Sequence, residues 1–261
     1  MENKKKYFIF GIIIVVYLVL TVTFLIIKNS NDKNNEKYLI IDQYGLFMKK
    51  NNKWSTFTKK NSDYYMFKNY DIFDGQTYLG NYTLQYNDRW YLWDDNNNSI
   101  QYDDKILAYR GNEQMKLKVL ENVELNSGDN EIINSALKKI SVNGYSNLSK
   151  SKKYQLDLDG DNNYEYVYEI SNLDSFNEPD KYFSIVFIYN GKDIDIIKNS
   201  VGKEEESLQL ARFSLEYNIS FGSDNYNHII IQTIYFSKPD KTKYSIYKYN
   251  KNKLDLVIEN K

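Results

Sequence analysis

The chain has no cysteine, only two prolines and a single histidine among its 261 residues. The lack of cysteine excludes disulfides, zinc sites built on thiolates and cysteine nucleophiles. The single histidine, His228, excludes metal sites built from several histidines, and a Ser-His-Asp triad would have to use this residue as its base. We expect His228 to be a sheet residue, because an apolar, isoleucine-rich run follows it.

An excess of charge of either sign is also missing. The 34 Lys and Arg residues nearly balance the 35 Asp and Glu residues, and the net charge is −1 at pH 7. Such a balance gives no general attraction to nucleic acid or to an anionic membrane surface. We therefore expect no nucleic-acid partner.

One long apolar run is present, Tyr7–Ile27, with 21 uncharged residues. As a helix it would span roughly 31 Å, the thickness of the hydrocarbon core of a bilayer. The alternatives are a buried core helix and a cleaved signal peptide, and a signal peptide has a shorter apolar region that ends in small residues. This run ends in the bulky residues 24–27, FLII. The sequence therefore predicts a single uncleaved transmembrane helix.

The flanking charges orient this helix. Lys4, Lys5 and Lys6 precede it in a tight cluster, whereas the lysines after it are spread among acidic residues. Because positive clusters stay on the cytoplasmic side, residues 1–6 are predicted as a cytoplasmic tail. Residues 28–37 are predicted as a polar linker, and the remaining chain as an extracytoplasmic region tethered to the cell membrane.

The extracytoplasmic region is predicted to be mainly β. Its Tyr- and Ile-rich runs, separated by turns of Asn, Asp, Gly and Lys, favour antiparallel hairpins. Residues 38–124 are predicted as a β-meander domain closed by a strand at Leu117–Leu120. The Asp94–Asn98 stretch is predicted as a solvated turn. Four aromatic residues of this domain would fill a core or form a platform for a sugar or peptide, namely Trp54, Trp90, Tyr91 and Trp93.

Residues 125–261 are predicted as an α+β domain. Apolar residues at helical spacing predict one helix over Asp129–Ile140, with Asp129 as its N-cap. Alternating or apolar runs then predict the strands Tyr164–Ile170, Tyr182–Tyr189, Lys192–Ile197, Phe213–Phe221, Ile229–Phe236, Tyr244–Tyr249 and Lys253–Ile258. We expect these strands to form a compact sheet capped by the helix.

An acidic stretch at 157–165, DLDGDNNYE, has the spacing of a calcium loop. Calcium prefers hard oxygen ligands, and carboxylates at alternate positions of a tight loop converge on one ion. Without a cation these carboxylates repel one another. The alternative is an acidic turn satisfied by water and lysines. The expected ligands are Asp157, Asp159, Asp161, the backbone carbonyl of Asn163, and Glu165.

This stretch resembles the calcium loops of FG-GAP and VCBS repeats, the loop type of integrin-like β-propellers. Those loops share the pattern D-x-D-G-D-x-x-x-[DE] and run directly into a strand. The resemblance implies a bound Ca²⁺ held by the same five residues, and it is confined to the surroundings of the loop. The sequence departs from these repeats at Asn162, where they usually have Gly.

A faint internal repeat follows. A shift of 63 residues aligns Asp157–Val167 with Ser220–Ile230, and a shift of 60 aligns Tyr189–Asp195 with Tyr249–Asp255. Both units are predicted as a loop, a strand and a hairpin, and the second loop has lost most of its acids. Two such units are too few for a propeller.

These observations predict a membrane-anchored extracytoplasmic protein that binds or scaffolds an envelope protein or glycan, with a structural Ca²⁺. Two alternatives stay open. A cell-envelope hydrolase would need two carboxylates facing each other across a cleft. An accessory subunit of a membrane complex would use the anchor helix as its interface, although Gly11 is the only glycine there.

Overall fold

A computed structural model describes residues 36–42, 44–57, 66–87, 89–102, 106–143, 151–173, 182–202, 210–222, 226–235 and 237–260. These residues form three antiparallel sheets and one helix. The predicted transmembrane segment Tyr7–Ile27 and almost all of the predicted linker lie outside them. The mainly β fold with one helix is confirmed for the described part of the chain.

The N-terminal sheet has eight strands in the order β3-β2-β1-β8-β4-β5-β6-β7. The strands are β1 (Lys37–Ile41), β2 (Gly45–Lys50), β3 (Lys53–Thr56), β4 (Lys68–Asp74), β5 (Thr77–Asn87), β6 (Arg89–Trp93), β7 (Ser99–Tyr102) and β8 (Ile106–Arg110). Asn51 and Asn52, with φ of 50° and 59°, supply the left-handed backbone that the tight β2–β3 hairpin requires. Strand β8 inserts between β1 and β4, so the sheet is not a simple meander.

Two five-stranded meanders follow, and their strand orders correspond. The helix-side sheet has the order β10-β11-β12-β13-β14, and the middle sheet has the order β9-β15-β16-β17-β18. The strands are β9 (Met115–Lys118), β10 (Glu121–Val123), β11 (Lys152–Leu156), β12 (Glu165–Ser171), β13 (Tyr182–Tyr189), β14 (Ile194–Gly202), β15 (Ala211–Phe221), β16 (His228–Tyr235), β17 (Lys238–Asn250) and β18 (Lys253–Glu259). Strands β12 and β16 start 63 residues apart, which is the offset of the sequence repeat.

Two sequence expectations about these sheets are wrong. The C-terminal half contains two sheets rather than one compact sheet, because two meanders of similar length pack face to face. The strand predicted at Leu117–Leu120 does not close the N-terminal sheet. The observed strand, β9, pairs with β15 of the middle sheet.

Helix α1 (Ser127–Lys139) covers the outer face of the helix-side sheet. Its N-cap is Asn126, whose side chain accepts a hydrogen bond from Gly128 N at 2.9 Å. The sequence assignment of Asp129 as N-cap is therefore wrong. Asp129 is the third helical residue, and its carboxylate accepts the Asn126 N–H at 2.7 Å, which completes a capping box.

The layers run in the order α1, helix-side sheet, middle sheet and N-terminal sheet. Strand β13 shows why this stacking suits the sequence. Its side chains alternate, so that Ile185 and Phe187 contact the α1 side while Val186 and Ile188 contact the middle sheet. Because both faces are covered, the strand is a nearly continuous buried apolar run.

Candidate metal centre

The acidic loop predicted from the sequence connects β11 to β12 at the edge of the two stacked meanders. The structure brings Asp157, Asp159 and Asp161 together, with one carboxylate oxygen of each lying within 4.8 Å of the others. Asp157 and Asp159 are partly buried and Asp161 is exposed. Three oxygens at this spacing suit a hard divalent cation, provided that further oxygens complete its shell.

The backbone of the loop holds these carboxylates in place. Gly160 and Asn162 have φ of 80° and 67°, the left-handed region in which Gly and Asn are the least strained residues. Asp157 accepts hydrogen bonds from Gly160 N at 2.7 Å and from Asn162 N at 3.3 Å. Asp161 accepts one from Asn163 N at 2.7 Å. The Asn at position 162, a departure from the repeat pattern, therefore fits the observed turn.

The electrostatics of the loop favour a cation. Partial burial and the neighbouring charges of Asp161 and Asp157 raise the pKa of Asp159 above its usual value. Hydrogen bonds from Asn163 act in the opposite direction on Asp161 and lower its pKa. A bound divalent ion would remove the repulsion that raises the pKa of Asp159.

The other two predicted ligands have different surroundings. The Glu165 side chain lies outside the aspartate trio, is buried, and accepts Leu158 N at 3.0 Å through Oε2. The Asn163 amide donates to Asp161 Oδ2 at 2.9 Å. Of the five predicted residues, the structure thus groups the three aspartates and directs one Glu165 oxygen to the backbone beneath the loop.

Sequence reasoning missed Asn227, which supports the loop from the middle sheet. Its backbone N–H donates to Leu158 O at 2.9 Å, and its side-chain amide donates to Asp157 O at 2.5 Å. Asn227 is fully buried, and its own carbonyl accepts Tyr249 N at 3.1 Å. The repeat alignment contained the only signal, because Asn227 immediately precedes the strand that corresponds to β12.

Substituting Glu165 by Gln should stabilise the calcium-free protein at neutral pH. Burial, followed by the charges of Asp159 and Asp161, raises the pKa of Glu165, although the Leu158 N–H opposes the shift. When the pKa of a carboxyl is higher in the folded than in the unfolded state, its ionisation destabilises the fold at a pH above the folded-state pKa. At a pH below the unfolded-state pKa, the group is protonated in both states and has no effect on stability. Gln keeps an acceptor for Leu158. We expect a higher melting temperature for Glu165→Gln in EDTA at pH 7, and no difference at pH 3. An unchanged melting temperature at pH 7 would contradict this assignment.

The remaining candidate residues have structural roles. His228 is buried as the first residue of β16 and packs edge-on against Phe221, so its prediction as a sheet residue is confirmed. Asp94 accepts the N–H groups of Asn96 and Asn98, which confirms the predicted turn.

The strand order does not bring together the aromatic residues of the predicted platform. Trp54 lies on β3 and Trp93 on β6, and five strands separate these two in the sheet. Trp54 packs against Phe221 of the middle sheet, with ring centroids 5.8 Å apart. The Trp93 indole N–H instead donates to Gln85 Oε1 at 3.1 Å.

Within the described ranges, no helix is long and apolar enough to cross a membrane; α1 has 13 residues. Comparison with known proteins leaves the chain without a family assignment: no family model, no curated protein and no solved structure gives a significant match.

Proposed function

We propose that this chain is a membrane-anchored extracytoplasmic protein that binds or scaffolds an envelope protein or glycan, and that a Ca²⁺ ion in the 157–165 loop stabilises it. The observation that carries the calcium site is the convergence of Asp157, Asp159 and Asp161 within 4.8 Å. The anchor rests on the length and apolar character of Tyr7–Ile27.

A structural role for the ion follows from what the loop contacts. The loop joins two strands of the helix-side sheet, and Asn227 ties it to the middle sheet through Asp157 and Leu158. An ion that fixes the loop would therefore also fix the junction of the two meanders. Loops of this kind in extracellular modules bind calcium with dissociation constants of about 10⁻⁴–10⁻³ M.

The aspartate trio does not support the hydrolase alternative. Paired carboxylates of glycosidases lie about 5–9.5 Å apart, because a substrate bond and often a water must fit between them. One oxygen from each carboxylate of this trio lies within 4.8 Å of the others, and loop N–H groups donate to Asp157 and Asp161. That spacing suits one shared cation better than two separate catalytic roles.

Millimolar calcium should raise the melting temperature of the full-length protein in detergent relative to EDTA. A ligand that binds only the folded state stabilises it by RT ln(1 + [L]/Kd), which is about 0.4–1.4 kcal/mol at one to ten times Kd. For a domain of this size, the expected rise is roughly 1–6 °C. Magnesium should be less effective, because it demands a more rigid octahedral shell.

Asp159→Asn should abolish the calcium-dependent rise. The matched control is Asp94→Asn, which alters a second aspartate-centred turn in the N-terminal sheet. The control should melt at a lower temperature with and without calcium, and its calcium-dependent rise should remain. If the wild type has the same melting temperature in calcium and in EDTA, the loop is an acidic turn that does not bind calcium.

A further inference from the structure

The N-terminal sheet carries its positive charge at one end. Strand pairing places Lys37 opposite Lys49, and Lys50 opposite Lys53. Arg110 lies opposite Tyr38, next to the start of β1. We call this the basic end; its charged residues are Glu36, Lys37, Lys49, Lys50, Lys53, Lys68, Arg110 and Glu113. Six cations and two carboxylates give these eight residues a net charge of +4.

The opposite end of the same sheet is acidic. Asp74 closes β4 and pairs with Ile106, the first residue of β8. Asp42 follows β1, and its Oδ1 accepts the Ile106 N–H at 3.0 Å, so this carboxylate lies at the same end as Asp74. The overall charge of −1 therefore conceals a separation of charge along the strands.

The basic end holds like charges close together. Lys68 Nζ and the Arg110 guanidinium both lie 5.8 Å from the centre of the Tyr38 ring. Burial and the charge of Arg110 lower the pKa of Lys68, although Glu36 opposes the shift. Lys50 and Lys53 are exposed at the neighbouring hairpin. An external anion would relieve this repulsion.

Two features of the basic end suit a lipid headgroup layer. An open polar depression is lined by Lys37, Lys49, Asn51, Asn52 and Glu113. Beside Lys68, Phe67 is 68% exposed and has a φ of 55°, a strained conformation for a bulky residue. Exposed aromatic residues next to basic ones are typical of surfaces that lie at the boundary of headgroups and acyl chains.

We propose that the basic end rests on the anionic phospholipid headgroups of the membrane that carries the anchor. This inference builds on the proposed anchoring by Tyr7–Ile27. Glu36 and Lys37 at this end are also the first described residues, and only residues 28–36 separate Lys37 from the apolar run. Nine extended residues reach about 30 Å at most, so the predicted linker keeps this end near the bilayer. Each lysine near an anionic surface then adds to the attraction.

The absence of cysteine allows a direct test by single-site labelling of the full chain. Gln114→Cys places a fluorescent probe in the exposed loop between β8 and β9, beside the basic end, and Gln76→Cys places one in the exposed β4–β5 turn at the acidic end. Each labelled protein is reconstituted into vesicles of phosphatidylcholine alone or of an equal mixture with phosphatidylglycerol. Quenching by acrylamide then reports the exposure of the probe.

We expect phosphatidylglycerol to protect the Gln114 probe from quenching and to leave the Gln76 probe unchanged. High salt should remove the protection. Lys50→Gln with Lys53→Gln should lower the ratio of docked to undocked protein roughly 25-fold, at about fivefold per lysine. The matched control, Lys192→Gln with Lys251→Gln, neutralises two exposed turn lysines elsewhere and should keep the protection.

Three results would overturn the proposal in distinguishable ways. Protein that fails to float with neutral vesicles would overturn the anchor and this docking together. Protein that floats but shows equal quenching in both lipids would overturn the docking alone. Protection by soluble dextran sulfate, without protection by phosphatidylglycerol, would make the basic end a site for an anionic polysaccharide instead.

Discussion

Asp129→Ala should lower the free energy of unfolding by about 3–5 kcal/mol, because it leaves the buried Lys153 ammonium without its partner. Lys153 Nζ lies 2.9 Å from Asp129 Oδ1, and the two side chains are only 8% and 2% exposed. Tyr168 also donates to Asp129 Oδ1 at 2.5 Å. One carboxylate thus joins the first turn of α1 to β11 and β12. Urea unfolding followed by far-UV circular dichroism measures the change.

The same carboxylate should make stability depend on pH. Burial opposes its ionisation, but hydrogen bonds from Asn126, Tyr168 and Lys153 outweigh burial and lower the pKa of Asp129. A lowered pKa contributes stability that is present above the unfolded value of about 3.8 and is lost as pH falls through the folded value. Asp129→Asn should therefore flatten the acid limb of the stability curve.

A double variant separates the lost ion pair from the lost cap. Lys153→Met in the Asp129→Ala background removes the unpaired charge, so the pair should be more stable than Asp129→Ala alone. The double variant does not recover the stability lost because the Asn126 N–H and the Tyr168 hydroxyl have no acceptor. A loss below about 1 kcal/mol for Asp129→Ala would show that water reaches Lys153 and replaces the carboxylate.

The sequence predicted α1 but not the role of Asp129, and the reason is local. Asn126 and Asp129 are both residues that cap helices, and a capping box uses the two together. Periodicity identifies the apolar face through Ile133, Ala136 and Leu137, but these residues do not indicate where the first turn begins. The partner Lys153 lies 24 residues away on β11, beyond any local signal.

The positions of the strands were predicted better than the pairing between them. Most strands carry an alternating or apolar pattern, but β4, with the sequence KNYDIFD, does not, because a register shift between Ile72 and Phe73 breaks its alternation. The strands β9 and β10 are adjacent in sequence and join different sheets. Such pairing depends on contacts with residues 30 or more positions away, which a local pattern does not specify.

The candidate site shows the same limit. Its three aspartates lie within five residues, so their convergence follows from a tight turn and was predictable. Asn227 reaches the loop across 70 residues of sequence. The direction of Glu165, toward Leu158 N, depends on the buried space beneath the loop.

Glu169→Ala should cost about 2–4 kcal/mol, because Glu169 covers part of an open strand edge. Strand β9 pairs only with the Asn218–Phe221 end of β15. Further along β15, the N–H groups of Ala211, Phe213 and Leu215 are accepted by the side chains of Ser200 at 3.1 Å, Ser184 at 3.2 Å and Glu169 at 3.2 Å. Removing Glu169 leaves the buried Leu215 N–H without an acceptor and removes a charge-assisted hydrogen bond. Chemical unfolding and hydrogen exchange at Leu215 measure the two effects.

Three comparison variants test whether the edge is the cause. Glu169→Gln keeps an acceptor and should recover the greater part of the stability. Lys152 is the ion-pair partner of Glu169, and its side chain is 50% exposed, so Lys152→Met should cost less than about 1 kcal/mol. Ser184→Ala should cost about 1–3 kcal/mol by exposing the next N–H along the same edge. Equal losses for Lys152→Met and Glu169→Ala would assign the effect to the ion pair. Unequal losses, with faster exchange at Leu215 only in Glu169→Ala, would show that side chains of one meander protect the strand edge of the other, the contact that keeps two short sheets from pairing with foreign strands.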